Sequence, residues 1–352
     1  MSVVGANAVG YQGTMTPTLR SREEAKSVDR LMVLDAGRVV AGLGVVWFHS
    51  IESDSLRDSG AIGRFSVAFY TMMAMVFLFE HIERNPERHF AEFAWGKIKR
   101  LYVPFLAWSA ISLPLLAGAK LLEPRLELPG LGWDFLVAGA TLPLWFVPFV
   151  IVVTLLAFPL AKWVVKDRRR ELAVLLACVA AALGLEYFPW GDSPLRGMPM
   201  AGRFMELSWN RWSAAYWGVA LAIVYRRWLR EWPWRSVIGI VGAVGTVVGV
   251  AMMWHGGMTA GLKAHCGICF ALLALAPWRG EWIEKIGRYG RLAFGLYFAH
   301  MTMIILLRCV ANRAGIAVGW ERDVGIFLAT VGICGAVLVG MVRTKMLRWM
   351  VA

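Results

Sequence analysis

The sequence predicts an all-α fold: a polytopic membrane bundle of about ten transmembrane helices with its N-terminus and C-terminus cytoplasmic. Three observations predict it. Hydrophobic residues make up 58% of the 352, and the mean hydropathy is +0.57, above the balance of a soluble domain. The apolar residues run continuously for about 17 to 22 positions at a time, enough to cross a hydrocarbon core of about 30 Å as helices. They do not alternate as barrel strands do. Lys and Arg then gather on one side of the topology, as the positive-inside rule expects.

Taken in order, residues 1–30 are polar, contain Gly, Thr and Ser, and lack an apolar core. They read as a flexible cytoplasmic tail ahead of a membrane domain spanning 31–352. The first apolar run begins after residue 30 and joins the bundle, so no cleavable signal peptide is expected. Spans one to three are expected near 32–50, 64–82 and 101–120, the third preceded by the basic strip Lys97-Ile98-Lys99-Arg100. Spans four and five, near 143–162 and 171–188, flank the basic turn Arg168-Arg169-Arg170. Span six, near 208–225, ends on Arg226-Arg227 with Arg230, and span seven follows near 235–254. The last three lie near 262–277, 291–310 and 323–342. Trp145, Trp163, Trp209, Trp212, Trp228, Trp234, Trp254 and Trp278 fall near these ends, where interfacial anchors belong.

With the N-terminus inside, cytoplasmic segments hold about 25 of the 37 Lys and Arg residues. Glu52, Asp54, Asp58, Glu186 and Asp192 fall on the opposite side. The formal charge of +13 is therefore assigned to orientation and contact with anionic membrane lipids, and not to nucleic acid. The strip beginning at Lys97 is the best candidate for holding an anionic small molecule. Two outer connections are long. Leu121 to Leu142 is rich in Leu, Pro and Gly and suits an amphipathic segment. Pro189 to Leu207 carries Arg196, Arg203 and Glu206 and is polar enough to help line a substrate site. Of the five cysteines, Cys266 and Cys269 form a CxxC behind His265. No second ligand pair can close a tetrahedral site, so the two read as small packing residues and no metal is expected.

The chemistry concentrates in the first span. Asp35, Arg38 and His49 lie inside an apolar segment, where ionisable groups are costly and face the protein interior. The eleven steps from Arg38 to His49 return to nearly the same helix face, about 16 Å along the axis. Asp35 precedes Arg38 by one turn and can pair with it. One helix thus carries a cation near one membrane surface and an imidazole near the other. Histidine, with an unperturbed pKa of about 6.5, suits general-base work on a hydroxyl.

These residues resemble those of acyltransferase family 3, whose first helix carries Asp-x-x-Arg followed by Arg-x10-His. The likeness continues through Lys97–Arg100 with Pro104, through Leu144-Trp145-Phe146, and through Tyr297-Phe298-Ala299-His300, covering about residues 30 to 343. One departure is Met73-Ala74, where the family has Ser-Gly. The resemblance implies an integral membrane O-acyltransferase of a bacterial cytoplasmic (inner) membrane. The donor would be cytoplasmic acyl-CoA, by default acetyl-CoA, as a co-substrate with no cofactor bound permanently. The acceptor would be a hydroxyl of an extracytoplasmic glycan or glycolipid. In this reading His49 is the base and Asp35 and Arg38 complete the catalytic set. Arg38, Lys97, Lys99, Arg100 and Trp145 serve the donor, and Tyr297 and His300 line the acyl tunnel or acceptor path. The alternative for His300 is a buried neutral histidine bonded to Tyr297 or to a backbone carbonyl. A homo-oligomer is compatible with the chain. The runner-up function is a transporter or exporter of a small metabolite or lipid-linked glycan, which could use the same row of ionisable groups; the lack of an evident internal repeat weighs against it.

Overall fold

The computed structural model describes residues 19–126, 132–187, 211–256 and 259–351. Residues 1–18 of the expected tail and the connection bearing Arg196, Arg203 and Glu206 lie outside the described residues. Every regular element among the described residues is helical. α1 (Leu19–Ser50) is followed by a 3-10 segment (Asp54–Gly60), α2 (Ala61–Arg64), α3 (Ser66–Arg84), α4 (Phe90–Lys97) and α5 (Val103–Leu122). Then come α6 (Trp133–Ala138), α7 (Phe146–Val164), α8 (Arg168–Tyr187), α9 (Trp212–Val224), α10 (Arg235–Gly256) and α11 (Ala260–Leu275). The chain closes with α12 (Glu281–Gly287), α13 (Leu292–Arg313) and α14 (Trp320–Arg343). α1 begins at Leu19, so the backbone of residues 19–30 continues the first helix upstream of its apolar part.

Seven segments are long and apolar enough to cross a membrane: Met32–Ser50, Asp54–Arg84, Phe90–Leu122, Pro143–Val164, Arg235–His255, Leu292–Arg313 and Trp320–Arg343. The other three expected spans are helical but fall short of that measure. α8 opens on Arg168-Arg169-Arg170-Glu171, α9 has 13 residues before its basic end, and α11 has 16. α1 packs against α2, α11, α12, α13 and α14, and α3 against α7, α9 and α11, so these two form the middle of the bundle. α10 and α14 are only 22% buried and present apolar side chains outward, as lipid-facing helices must.

Local chemistry fixes the approaches. Gly44 on α1 and Gly63 on α2 meet backbone to backbone, a crossing that no side chain could enter. Gly245 and Gly249 on α10 accept Cys269 and Cys266 of α11; a methyl at Gly245 would sit 2.5 Å from the Cys269 sulfur. The CxxC therefore packs two helices together. Pro104 lacks an amide donor and crowds the preceding turn, and the chain there winds as a π-turn over Ile98–Tyr102. A second π-turn, Tyr225–Leu229, aims Arg226 and Arg230 at Glu83 of α3. Arg226 also pairs with the buried Glu171 of α8, so one ionic network ties α3, α8 and α9 at the end carrying the basic clusters.

Candidate active site

α1 carries the two poles of the site. At the first, the Arg38 guanidinium donates to Asp35 at 2.8 Å, one turn away, as the spacing predicts. Its other face lies 5.1 Å from the Phe77 ring centre, and the Tyr70 hydroxyl donates to the Arg38 carbonyl at 2.7 Å. Phe77 and His81 sit one turn apart on α3, and His81 lies within electrostatic range of Lys97 and Arg100. One end of α3 thus brings Arg38 towards the Lys97–Arg100 strip. Lys97 stacks on Phe93 at 5.4 Å, while Lys99 stacks on the exposed Trp95 at 5.0 Å.

A cavity of about 520 Å³ opens beside this pole, lined by Lys285, Arg288, Arg291 and Arg343 with Tyr289, Leu292, Val339 and Val342. Gly287 and Gly290, interleaved in sequence with its lining residues, pack closely against Met32 and Asp35 of α1. Sequence reasoning passed over these four cations because they come from two stretches about fifty residues apart that only the packing of α13 on α14 unites.

At the second pole, His49 is half-buried and its ring centre lies 5.4 Å from that of His300 on α13. His300 is fully buried. Its Nδ1 meets the carbonyl oxygens of Tyr297 at 2.7 Å and Leu296 at 3.3 Å, which assigns the ring proton to Nδ1. Nε2 of a neutral His300 then holds a lone pair, and this atom is buried with no hydrogen-bond partner. The backbone-bonded histidine is therefore what the structure contains, with a bare acceptor atom left over. The Tyr297 hydroxyl donates to the Pro143 carbonyl and locks α13 to the turn that opens α7. Its ring packs on Phe146 and His300, and Trp145 packs on Phe146 and Phe149. Trp145 is 7% exposed and Tyr297 8%, so both meet the interior and not bulk water. Met73, at the departure from the family pattern, is buried in the same core.

The end of α1 is pinned from across the bundle. Arg308 of α13 donates to the His49 carbonyl at 2.9 Å and pairs with Glu52 at 3.2 Å. Arg322 of α14 pairs with Glu52 at 3.0 Å. The fully buried Asp323 accepts from the Glu52 and Ser53 amides at 3.1 and 2.9 Å, and from the Ser53 hydroxyl at 2.5 Å. Sequence reasoning missed these residues, although an Asp at the head of an apolar run is a signal of the same kind as Asp35. On the far side of α11, His265 approaches Glu186 at 3.8 Å, and Trp217 donates to the same carboxylate at 2.9 Å.

The arrangement has two chemically distinct halves on one helix. One offers guanidinium and ammonium groups to an anion; the other offers an accessible imidazole beside a buried one. Such a pair suits proton transfer to and from a hydroxyl. A family model described as an acyltransferase domain matches residues 33–342, nearly the whole chain. Comparison with curated proteins and with solved structures finds no match.

Proposed function

Because the chain belongs to this acyltransferase family, we propose that it is an integral membrane O-acyltransferase. It moves an acyl group, by default acetyl, from cytoplasmic acyl-CoA to a hydroxyl of an extracytoplasmic glycan or glycolipid, in a bacterial cytoplasmic membrane. The observation that carries this reading is the His49–His300 pair, 5.4 Å between rings, set one helix length from the Asp35–Arg38 pair. Arg38, Lys97 and Arg100 hold the donor's phosphates, and the cavity of Lys285, Arg288, Arg291 and Arg343 offers a second set of cations for them. The pantetheine arm threads the interior past Tyr297 and Trp145 and presents the thioester near His49, about 16 Å from Arg38.

The acceptor hydroxyl oxygen attacks the thioester carbonyl while His49 takes its proton. The carbon–sulfur bond breaks, and the departing thiolate recovers that proton from His49, leaving an ester and free CoA. His300, its ring centre 5.4 Å from that of His49, uses its unpartnered Nε2 lone pair to orient either the hydroxyl or the protonated His49. Purified protein should transfer label from acetyl-CoA to an acceptor glycan. His49→Ala should abolish transfer with the fold intact, and Arg38→Ala should raise the KM for acetyl-CoA. Full activity in the His49 variant rules out its assignment as the base.

A further inference from the structure

Arg64 stands beside the His49 end of α1, Arg211 and Lys263 lie within electrostatic range of Arg64, and none of the three forms an ion pair with a described acid. The rings of Phe48 and His49 are neighbours, 4.7 Å apart. The Arg64 guanidinium lies over Phe48 at 4.4 Å and within electrostatic range of His49 itself. Arg211, just ahead of α9, lies within range of Arg64, and Lys263, in the first turn of α11, lies within range of both. All three are half-buried, and the Nε atoms of Arg64 and Arg211 are buried without a hydrogen-bond partner.

Four of the acids described at this end are engaged elsewhere, and Asp58 and Glu321 lie exposed to solvent. Glu52 pairs with Arg308 and Arg322, and Asp323 holds Ser53. Glu186 serves Trp217 and His265, and Asp54 meets the exposed Arg57. Like charges gathered in a partly desolvated site repel one another and lose hydration, a cost that structural packing alone does not repay. An anion held between them removes it. Two planar guanidinium forks and an ammonium match phosphate or carboxylate oxygens.

We propose that Arg64, Arg211 and Lys263 form an anion subsite beside His49, and that the acceptor carries a phosphate or carboxylate close to the hydroxyl that receives the acyl group. The inference rests on the acyl-transfer reading for its role and on the cation cluster for its existence. Arg64 is the central residue. Its stacking on Phe48 places the bound anion one residue from the base, so a molecule gripped there delivers its hydroxyl to His49.

The test compares three glycolipid probes that differ at one carbon: octyl glucoside, octyl glucuronide and octyl glucoside 6-phosphate. Acyl transfer from labelled acetyl-CoA and direct binding are measured separately, in a detergent without a sugar headgroup. An anionic probe should exceed the neutral one in kcat/KM by about tenfold or more, the worth of one charge-assisted hydrogen bond. Arg64→Gln and Lys263→Gln should bring the ratio of anionic to neutral probe towards one, chiefly through KM, and Arg64→Lys should retain most of it. Equal use of all three probes, or variants that leave the ratio unchanged, overturns the subsite. If no probe is acylated but the anionic ones bind preferentially and Arg64→Gln removes that preference, the subsite stands and the acyl-transfer reading falls. The two anionic probes separate a carboxylate from a phosphate ligand.

Discussion

Removing the carboxylate of Asp323 should loosen the turn that follows His49 and slow catalysis without touching either substrate. Asp323 is fully buried and accepts three hydrogen bonds from Glu52 and Ser53, at 3.1, 2.9 and 2.5 Å. At about 1.5–3 kcal/mol for each bond to an ionised acceptor, simple addition would give about 5–9 kcal/mol. The three share one acceptor and one turn, so they do not add. Asp323→Ala leaves two amides and a hydroxyl without their shared acceptor, at about 1–3 kcal/mol for each unsatisfied donor, so about 3–5 kcal/mol is expected. Asp323→Asn keeps one oxygen and turns an amide towards former donors, so about half that loss is expected. The assay pairs thermal unfolding in detergent with kcat per folded molecule, read below the transition. A shift of the base by about 1 Å costs about 100-fold, so kcat should fall by that order in Asp323→Ala, with the KM for acetyl-CoA nearly unchanged. Wild-type kcat per folded molecule in a destabilised Asp323→Ala would refute the positioning role and leave a purely structural one. Unchanged stability would refute the energetic estimate.

His300→Ala should lower kcat about 100-fold with little change in the KM for acetyl-CoA, because the lost Nε2 lone pair acts at the hydroxyl end of the site; a change confined to the KM for donor would move His300 to the donor path. Gly63→Ala should lower the unfolding midpoint, since a methyl there would meet the Gly44 carbonyl carbon at 2.6 Å and backbone cannot yield without opening the α1–α2 crossing. The cost is about 1–3 kcal/mol, measurable by thermal unfolding, and a neutral substitution would show that the two helices separate freely.

The seven long apolar helices and the Asp35–Arg38–His49 row were legible because each depends on one continuous stretch. Hydropathy measures length and composition directly, and a spacing of eleven on a helix returns to the same face whatever surrounds it. The helical start at Leu19 was not legible that way. Residues 19–30 are rich in charged helix formers and carry no apolar stripe, so hydrophobicity passes over a helix that propensity favours. The short helices α8, α9 and α11 were recognisable as apolar runs, yet their charged or abbreviated ends blur whether each crosses alone.

The partners of His49 were illegible for a different reason. Arg308 reaches the His49 carbonyl across 259 positions and Asp323 reaches the Ser53 amide across 270, while Arg64 ends α2, Arg211 precedes α9 and Lys263 lies in the first turn of α11. No local pattern encodes that convergence; the packing of α1 against α2, α11, α13 and α14 does. The consequence bears on how the site divides its work. In the proposed mechanism, the residues a single helix displays in sequence, Arg38 and His49, are those assigned to the acyl donor and the proton. Those that fix the base in place, and those that would select an acceptor, come from the helices packed around it. If the proposed subsite selects the acceptor, substrate preference changes through Arg64, Arg211 or Lys263 while the Arg38–His49 spacing stays intact, and the motif identifies the family more readily than the acceptor.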